Sequence, residues 1–168
     1  MNAPSNSPAS RTACRLKELS LLGINTLFFL AHRALPAWIL AGASGRASGR
    51  QNGRLLGLNL GGQWTDNTGS TENGVCLDGR LHKHSTELTW QYDKQNFMRP
   101  WRITDPNGQL DLTFTPFLER VATSNVWLVR SEVHQMFGRY SGHVTTAEGE
   151  VVPVADLVGW AEDHVALW

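Results

Sequence analysis

From Trp38 to the C-terminus, turn-forming pairs recur at short, regular spacing: Ser48-Gly49, Asn52-Gly53, Gly61-Gly62, Asp78-Gly79, Pro106-Asn107-Gly108 and Glu148-Gly149. Between them lie alternating or β-rich runs, Arg54 to Leu60, Glu87 to Tyr92, Gln109 to Pro116, Val126 to Val133 and Val151 to Val158. Short strands at such intervals hide their apolar faces by pairing with sequence neighbours. The spacing therefore predicts an antiparallel all-β sandwich or barrel. The clearest hairpin signal is Asn107-Gly108, set between Trp101–Thr104 and Leu110–Phe114, because Asn and Gly tolerate the positive φ that tight hairpin turns require.

At 168 residues and 41% hydrophobic content, the chain can bury one sizeable core and is too short for two ordinary domains. Lys plus Arg and Asp plus Glu stand at 15 each. There is no basic footprint, and a nucleic-acid partner is not expected. Cys14 and Cys76 fall on either side of the expected domain boundary, so no structural disulfide is expected and a reducing, cytoplasmic setting is the default.

Residues 1–18 are rich in Ser, Pro, Asn and Ala without any period, and read as a disordered leader. Residues 19–37 form an apolar segment behind Arg15 and Lys17. A helix, a strand or a signal-like h-region over 15–37 all fit it, while its apolar core is too short for a stable membrane span. Residues 38–168 form the antiparallel β domain.

Strict alternation along the last strand places Val152, Val154, Asp156, Val158, Trp160, Glu162, His164 and Trp168 on one face. That face mixes tryptophan with carboxylates and imidazole, a composition expected of a cavity lining or a contact surface. Glu162 and His164 are the acid/base candidates, since a carboxylate can orient and charge an imidazole beside it. In a lumen, desolvation would raise the Glu162 pKa until it could protonate an alkene or ether. The alternative is a Glu–His pair that closes the end of the barrel.

The segments Leu56–Leu60, Thr71–Gly74, Asp78–His82, Pro100–Arg102, Leu110–Pro116, Gln135–Gly138 and Gly159–His164 together resemble the C-terminal half of the domain-of-unknown-function family DUF 2804. The resemblance covers about Trp38 to Trp168. It implies a lipocalin-like (calycin-type) barrel or half-barrel and a further N-terminal lobe, possessed by other members, as a partner. It implies no assigned activity, because fold does not give function.

Within this pattern, Trp64, Asp66, Glu72 and Asn73 form a loop-rich group whose donors and acceptors suit a hydroxylated ligand or an Asx-type turn. Arg102 and Arg139 are the cations expected to face inward, each able to pair with Asp111 or Glu162. His82 and His84 share one face of a strand, as two metal ligands would, but Glu87 follows too closely for the usual His-x-His and Glu spacing. No metal site and no cofactor is assigned.

No Gly-x-Ser-x-Gly, phosphate-loop, Gly-x-Gly-x-x-Gly or Cys-x-x-Cys motif occurs, and Gly42–Gly45 and Ser48-Gly49 read as turns. Three readings follow. The first is a binding module that holds an apolar or amphipathic small molecule against Trp64, Trp101, Trp160 and Trp168, with Glu72, Asn73, Arg102 and Arg139 as polar contacts. The second is an acid/base hydratase or isomerase of terpenoid- or lipid-like substrates that uses Glu162 and His164. The third is an inactive fragment of a two-lobed protein.

Overall fold

The computed structural model describes residues 39–63, 71–126 and 129–167. They form nine strands: β1 (Ile39–Gln51), β2 (Arg54–Gly62), β3 (Gly74–Leu77), β4 (Arg80–Lys83), β5 (Thr89–Gln91), β6 (Trp101–Thr104), β7 (Leu110–Val126), β8 (Val129–Thr145) and β9 (Val151–Leu167). One sheet contains them all, in the order β4-β3-β2-β1-β9-β8-β7-β6-β5, and every pairing is antiparallel. Two meanders thus run outward from a central β1–β9 pair. The sheet curls into a half-barrel, which brings Trp90 of β5 against Gly45 of β1 and Gly62 of β2.

Local sequence explains the tight hairpins. Asn52-Gly53 (φ 51° and 82°) and Asp78-Gly79 (φ 51° and 86°) both carry the paired positive φ of a two-residue turn. They fix the registers Gln51↔Arg54 and Leu77↔Arg80. The β6–β7 hairpin forms around Asn107-Gly108 as expected, with Thr104 opposite Asp111. Asp105 pins it by accepting from the Leu110 amide at 2.9 Å.

Three sequence expectations fail in detail. Gly42–Gly45 and Ser48-Gly49 are not turns but lie inside β1, where glycine leaves room for neighbours. A side chain at Gly49 would meet the Leu157 methyl at 2.9 Å, and one at Gly45 would meet the Tyr140 hydroxyl and the Trp90 ring. The run Val126 to Val133 spans the end of β7 and the start of β8 rather than forming one strand. Cys76 is disulfide-bonded, contrary to the expectation from the cysteine positions, while Cys14 lies outside the described residues.

The concave side is packed solid through the middle of the sheet. Leu56 and Leu60 (β2), Val75 (β3), Trp101 and Ile103 (β6), Leu110, Leu112 and Phe114 (β7), and Met136, Tyr140 and Val144 (β8) are each at most 2% exposed. Burial of one such side chain contributes roughly 1.5–3 kcal/mol. This shared core holds the two meanders together.

Two β-bulges interrupt the strict alternation. Pro116 pairs with Gly138 and Leu118 with Phe137, which leaves Phe117 as an extra residue in β7. Tyr140 pairs with Leu157 and Gly142 with Val154, which leaves an extra residue in β9 where Asp156 has φ 49°. Each bulge inverts the faces of all later residues. In β9 the residues buried on the core side run Val152, Val154, Leu157, Ala161 and Asp163, while His164 and Ala166 are buried on the opposite side. The single-face assignment of Val152 through His164 is therefore corrected: Asp156, Val158, Trp160, Glu162 and His164 lie on the convex face, opposite Val152 and Val154.

The leader 1–18, the segment 19–37, Trp64, Asp66 and Trp168 lie outside the described residues. Among the described residues no helix is long and apolar enough to cross a membrane.

Candidate functional site

Strands β7, β8 and β9 are each 17 residues long and run past the packed core. The β7 bulge turns Glu119 and Val121 to the concave side, the β9 bulge turns Asp163 there, and His134 joins them by pairing with both Val121 and Asp163. Glu132, two residues before His134, shares its face. A polar set thus stands at the mouth of the half-barrel, on the same face as the apolar core.

Asp163 is its centre, at 4% exposure. The Tyr92 phenol, just beyond β5, donates to Asp163 Oδ2, and Lys94 Nζ stands 3.6 Å from the same oxygen. Burial first and the carboxylate second push the Tyr92 pKa far above that of an ordinary phenol, so the phenol keeps its proton. Tyr92 is fixed by stacking on Trp101, with centroids 4.1 Å apart and planes at 13°. Phe97 leans on both rings and stacks on the His134 imidazole at 4.3 Å.

His134 is clamped by two carboxylates, Glu119 Oε1 at 2.8 Å from Nδ1 and Glu132 Oε1 at 3.0 Å from Nε2. Burial works against the imidazolium, but the two hydrogen-bonded carboxylates outweigh it and raise the pKa. A protonated ring can donate from both nitrogens at once, as this geometry requires. The mouth therefore offers an imidazolium, a phenol on a buried carboxylate, and an exposed ammonium, beside the apolar surface of Phe97 and Val121.

The sequence candidates Glu162 and His164 come together on the convex face, away from this mouth. Ser44 Oγ donates to Glu162 Oε1 at 3.1 Å, and Ser131 Oγ lies 2.8 Å from His164 Nε2. Burial raises the Glu162 pKa against the opposing effects of Ser44 and Arg46. It lowers that of His164, which is 8% exposed, against the pull of Asp163. Trp160 shares the face, half-buried, with the Arg46 guanidinium 5.8 Å above its ring.

The remaining candidates scatter. Trp101 is fully buried on the concave side, so it and Trp160 lie on opposite faces. Asn73, 1% exposed, pins two chain segments: its Oδ1 accepts from the Gly61 amide at 2.8 Å and its Nδ2 donates to the Thr86 carbonyl at 2.9 Å. The Glu72 side chain is exposed, and its carbonyl accepts from Asn59.

Both arginines point outward rather than inward. Arg102 makes a two-pronged contact with Asp111, at 3.2 and 2.9 Å, and Arg139 reaches the Asp156 carbonyl at 3.4 Å. His82 and His84 do share a face and are each 5% exposed. Among the described residues, however, no three His, Cys, Asp or Glu side chains converge as a metal set.

Sequence reasoning missed Tyr92, Lys94, Asp163 and the acidic partners of His134. Asp163 sits between the two chosen candidates, and only the bulge, which alternation does not reveal, turns it to the concave face. No curated protein and no solved structure matches the chain. A family model described as "Domain of unknown function (DUF2804)" matches residues 34–168. That span takes in all nine strands and both bulges, and the chain belongs to the DUF2804 family.

Proposed function

We propose that the chain is a small-molecule-binding β half-barrel that holds an amphipathic ligand at its mouth. In this reading the ligand's hydrogen-bonding head meets Asp163, Tyr92 and Lys94, and its apolar part lies along Phe97 and Val121. The observation that carries it is the buried Asp163 carboxylate at the end of an otherwise apolar core. A carboxylate costs several kcal/mol to bury, and a charged group kept in such a place, with polar partners in a concave setting, marks a candidate site.

The test is native mass spectrometry of the full chain from its own host, followed by titration with n-dodecanol while tryptophan fluorescence is followed. A bound apolar molecule, or saturable dodecanol binding that Asp163→Asn weakens, supports the proposal. An empty chain that dodecanol does not perturb overturns it.

Acid/base catalysis on a terpenoid- or lipid-like substrate is the second reading, favoured by one observation: burial makes Glu162 a weaker acid than usual while His164, two residues on, is kept neutral. Glu162→Gln abolishing turnover of an olefinic substrate while preserving its binding would establish it. Unchanged turnover in that variant would remove it.

A further inference from the structure

His84 lines a polar depression far from the mouth, together with Lys83, Ser85, Thr86, Gln109, Thr145 and Thr146. Thr145 and His134 are eleven residues apart on β8, about 36 Å along the strand at roughly 3.3 Å per residue. His84 is 5% exposed, and its Nδ1 has no hydrogen-bond partner among the described residues. An unsatisfied buried ring nitrogen costs roughly 1–3 kcal/mol, so its retention needs a reason.

The surrounding bonds define what is missing. The Thr145 amide donates to the Gln109 carbonyl at 2.7 Å, so it is not the partner of the ring. Burial holds the ring neutral by lowering its pKa, against the opposing pull of Asp105 and of the Thr145 bond. A neutral imidazole presents Nδ1 as a bare lone pair or as an N–H according to its tautomer, so the partner that suits it in either form is a group that both donates and accepts.

The floor of the depression is already braced. The His84 amide donates to the Asn73 carbonyl at 3.0 Å, the Thr146 amide to the Glu150 carbonyl at 2.9 Å, and Asn73 Nδ2 to the Thr86 carbonyl. Lys83 Nζ is bound to the Thr71 carbonyl. The side chains of Ser85, Thr86, Gln109 and Thr145 supply the remaining hydroxyl and amide groups of the lining, and no aromatic or large aliphatic side chain contributes to it.

We infer that this depression is a second binding site, for a neutral polyhydroxylated molecule of the polyol or sugar class, one of whose hydroxyls bonds His84 Nδ1. The hydroxyl- and amide-bearing lining and the unpartnered ring nitrogen select that class. A hydroxyl serves Nδ1 in either tautomer and also bonds the Thr, Ser or Gln groups around it, whereas a carboxylate or phosphate brings only acceptors and serves the N–H form alone.

The test is titration of the full chain with myo-inositol, D-glucose and glycerol, monitored through the imidazole nitrogen signals of His84 by NMR. The expected result is a saturable shift of the Nδ1 signal with at least one of the three, weakened about tenfold, or about 1.4 kcal/mol, by Gln109→Ala. Gln109 is an exposed rim residue whose replacement leaves the core intact. His84→Phe should abolish the response. If that variant fails to fold, the Gln109→Ala result stands as the decisive one. An Nδ1 signal that none of the three moves, or that inorganic sulfate moves equally, overturns the inference and leaves a bridging water as the partner.

Discussion

Tyr92 and Asp163, 71 residues apart, are joined by a hydrogen bond from the phenol to a carboxylate that is 4% exposed. The bond ties the chain that follows β5 to the end of β9 and so closes the β5 edge over the mouth.

Tyr92→Phe keeps the ring on Trp101 and removes only this donor. A buried carboxylate that loses one bond of this kind should cost about 1.5–3 kcal/mol, measured by urea unfolding. Asp163→Asn in the Tyr92→Phe background should recover part of the loss, because the uncompensated charge is removed. Equal stability of Tyr92→Phe and the parent would mean that Lys94 and water satisfy Asp163 unaided.

The chain has two tyrosines, and both resist ionisation. Burial and then Asp163 raise Tyr92, and burial alone raises Tyr140, from the ordinary value of 10.0. A raised phenol pKa means the native state holds its proton where the unfolded state releases it, so stability falls as pH rises through 10. Phenolate absorbance should therefore appear in an alkaline titration only as the protein unfolds. Phenolate signal from a chain with native circular dichroism at that pH would contradict the burial of both rings.

Much of the fold was legible because it depends on local chemistry. Asn52-Gly53 and Asp78-Gly79 dictate two-residue hairpins, and Asn107-Gly108 marks a third. What stayed hidden depends on contacts between distant residues. Gly45 and Gly49 resemble turn residues until Tyr140 and Leu157 are seen lying over them. The bulges at Phe117 and Asp156 leave no mark in a binary pattern. Alternation from Val152 therefore leads to Glu162 and His164, and misses Asp163 by one residue.

The β9 bulge makes its own prediction. Asp156 has φ 49°, a conformation that costs a branched side chain about 1–3 kcal/mol. Asp156→Gly should be neutral or stabilising, Asp156→Val should lose stability on that scale, and deletion of Asp156 should prevent folding by placing Glu162 and His164 on the core face. Thermal unfolding of the three variants checks the order. Wild-type stability of the deletion would show that β9 does not need the bulge to set its phase.

Close contact between β5 and β2 is tested at Gly62, where an added Cβ would meet Trp90 ring atoms at 2.5 Å. Gly62→Val should destabilise by about 1–3 kcal/mol. The penalty should shrink in a Trp90→Leu background, giving a coupling energy of roughly 0.5–3 kcal/mol in a double-mutant cycle. Additive effects would mean that the edge strand does not close over β1 and β2.

Glu162 and His134 shift stability with pH in the same sense, although their environments differ. The Glu162 pKa is raised from 4.5 by burial, against Ser44 and Arg46, and that of His134 is raised from 6.5 because Glu119 and Glu132 overcome its burial. In each case the native state binds the proton more tightly than the unfolded state, so stability falls as pH rises through the interval between the unfolded and folded values. The two windows begin separately, just above 4.5 for Glu162 and just above 6.5 for His134. Glu162→Gln should flatten the first decline and leave the second intact, and the combination of Glu119→Gln with Glu132→Gln should flatten only the second. Denaturation midpoints measured between pH 4 and pH 8 separate the two. A Glu162→Gln profile that still declines just above pH 4.5 would show that Glu162 is ionised at no cost in the fold, against the upward push that burial gives its pKa.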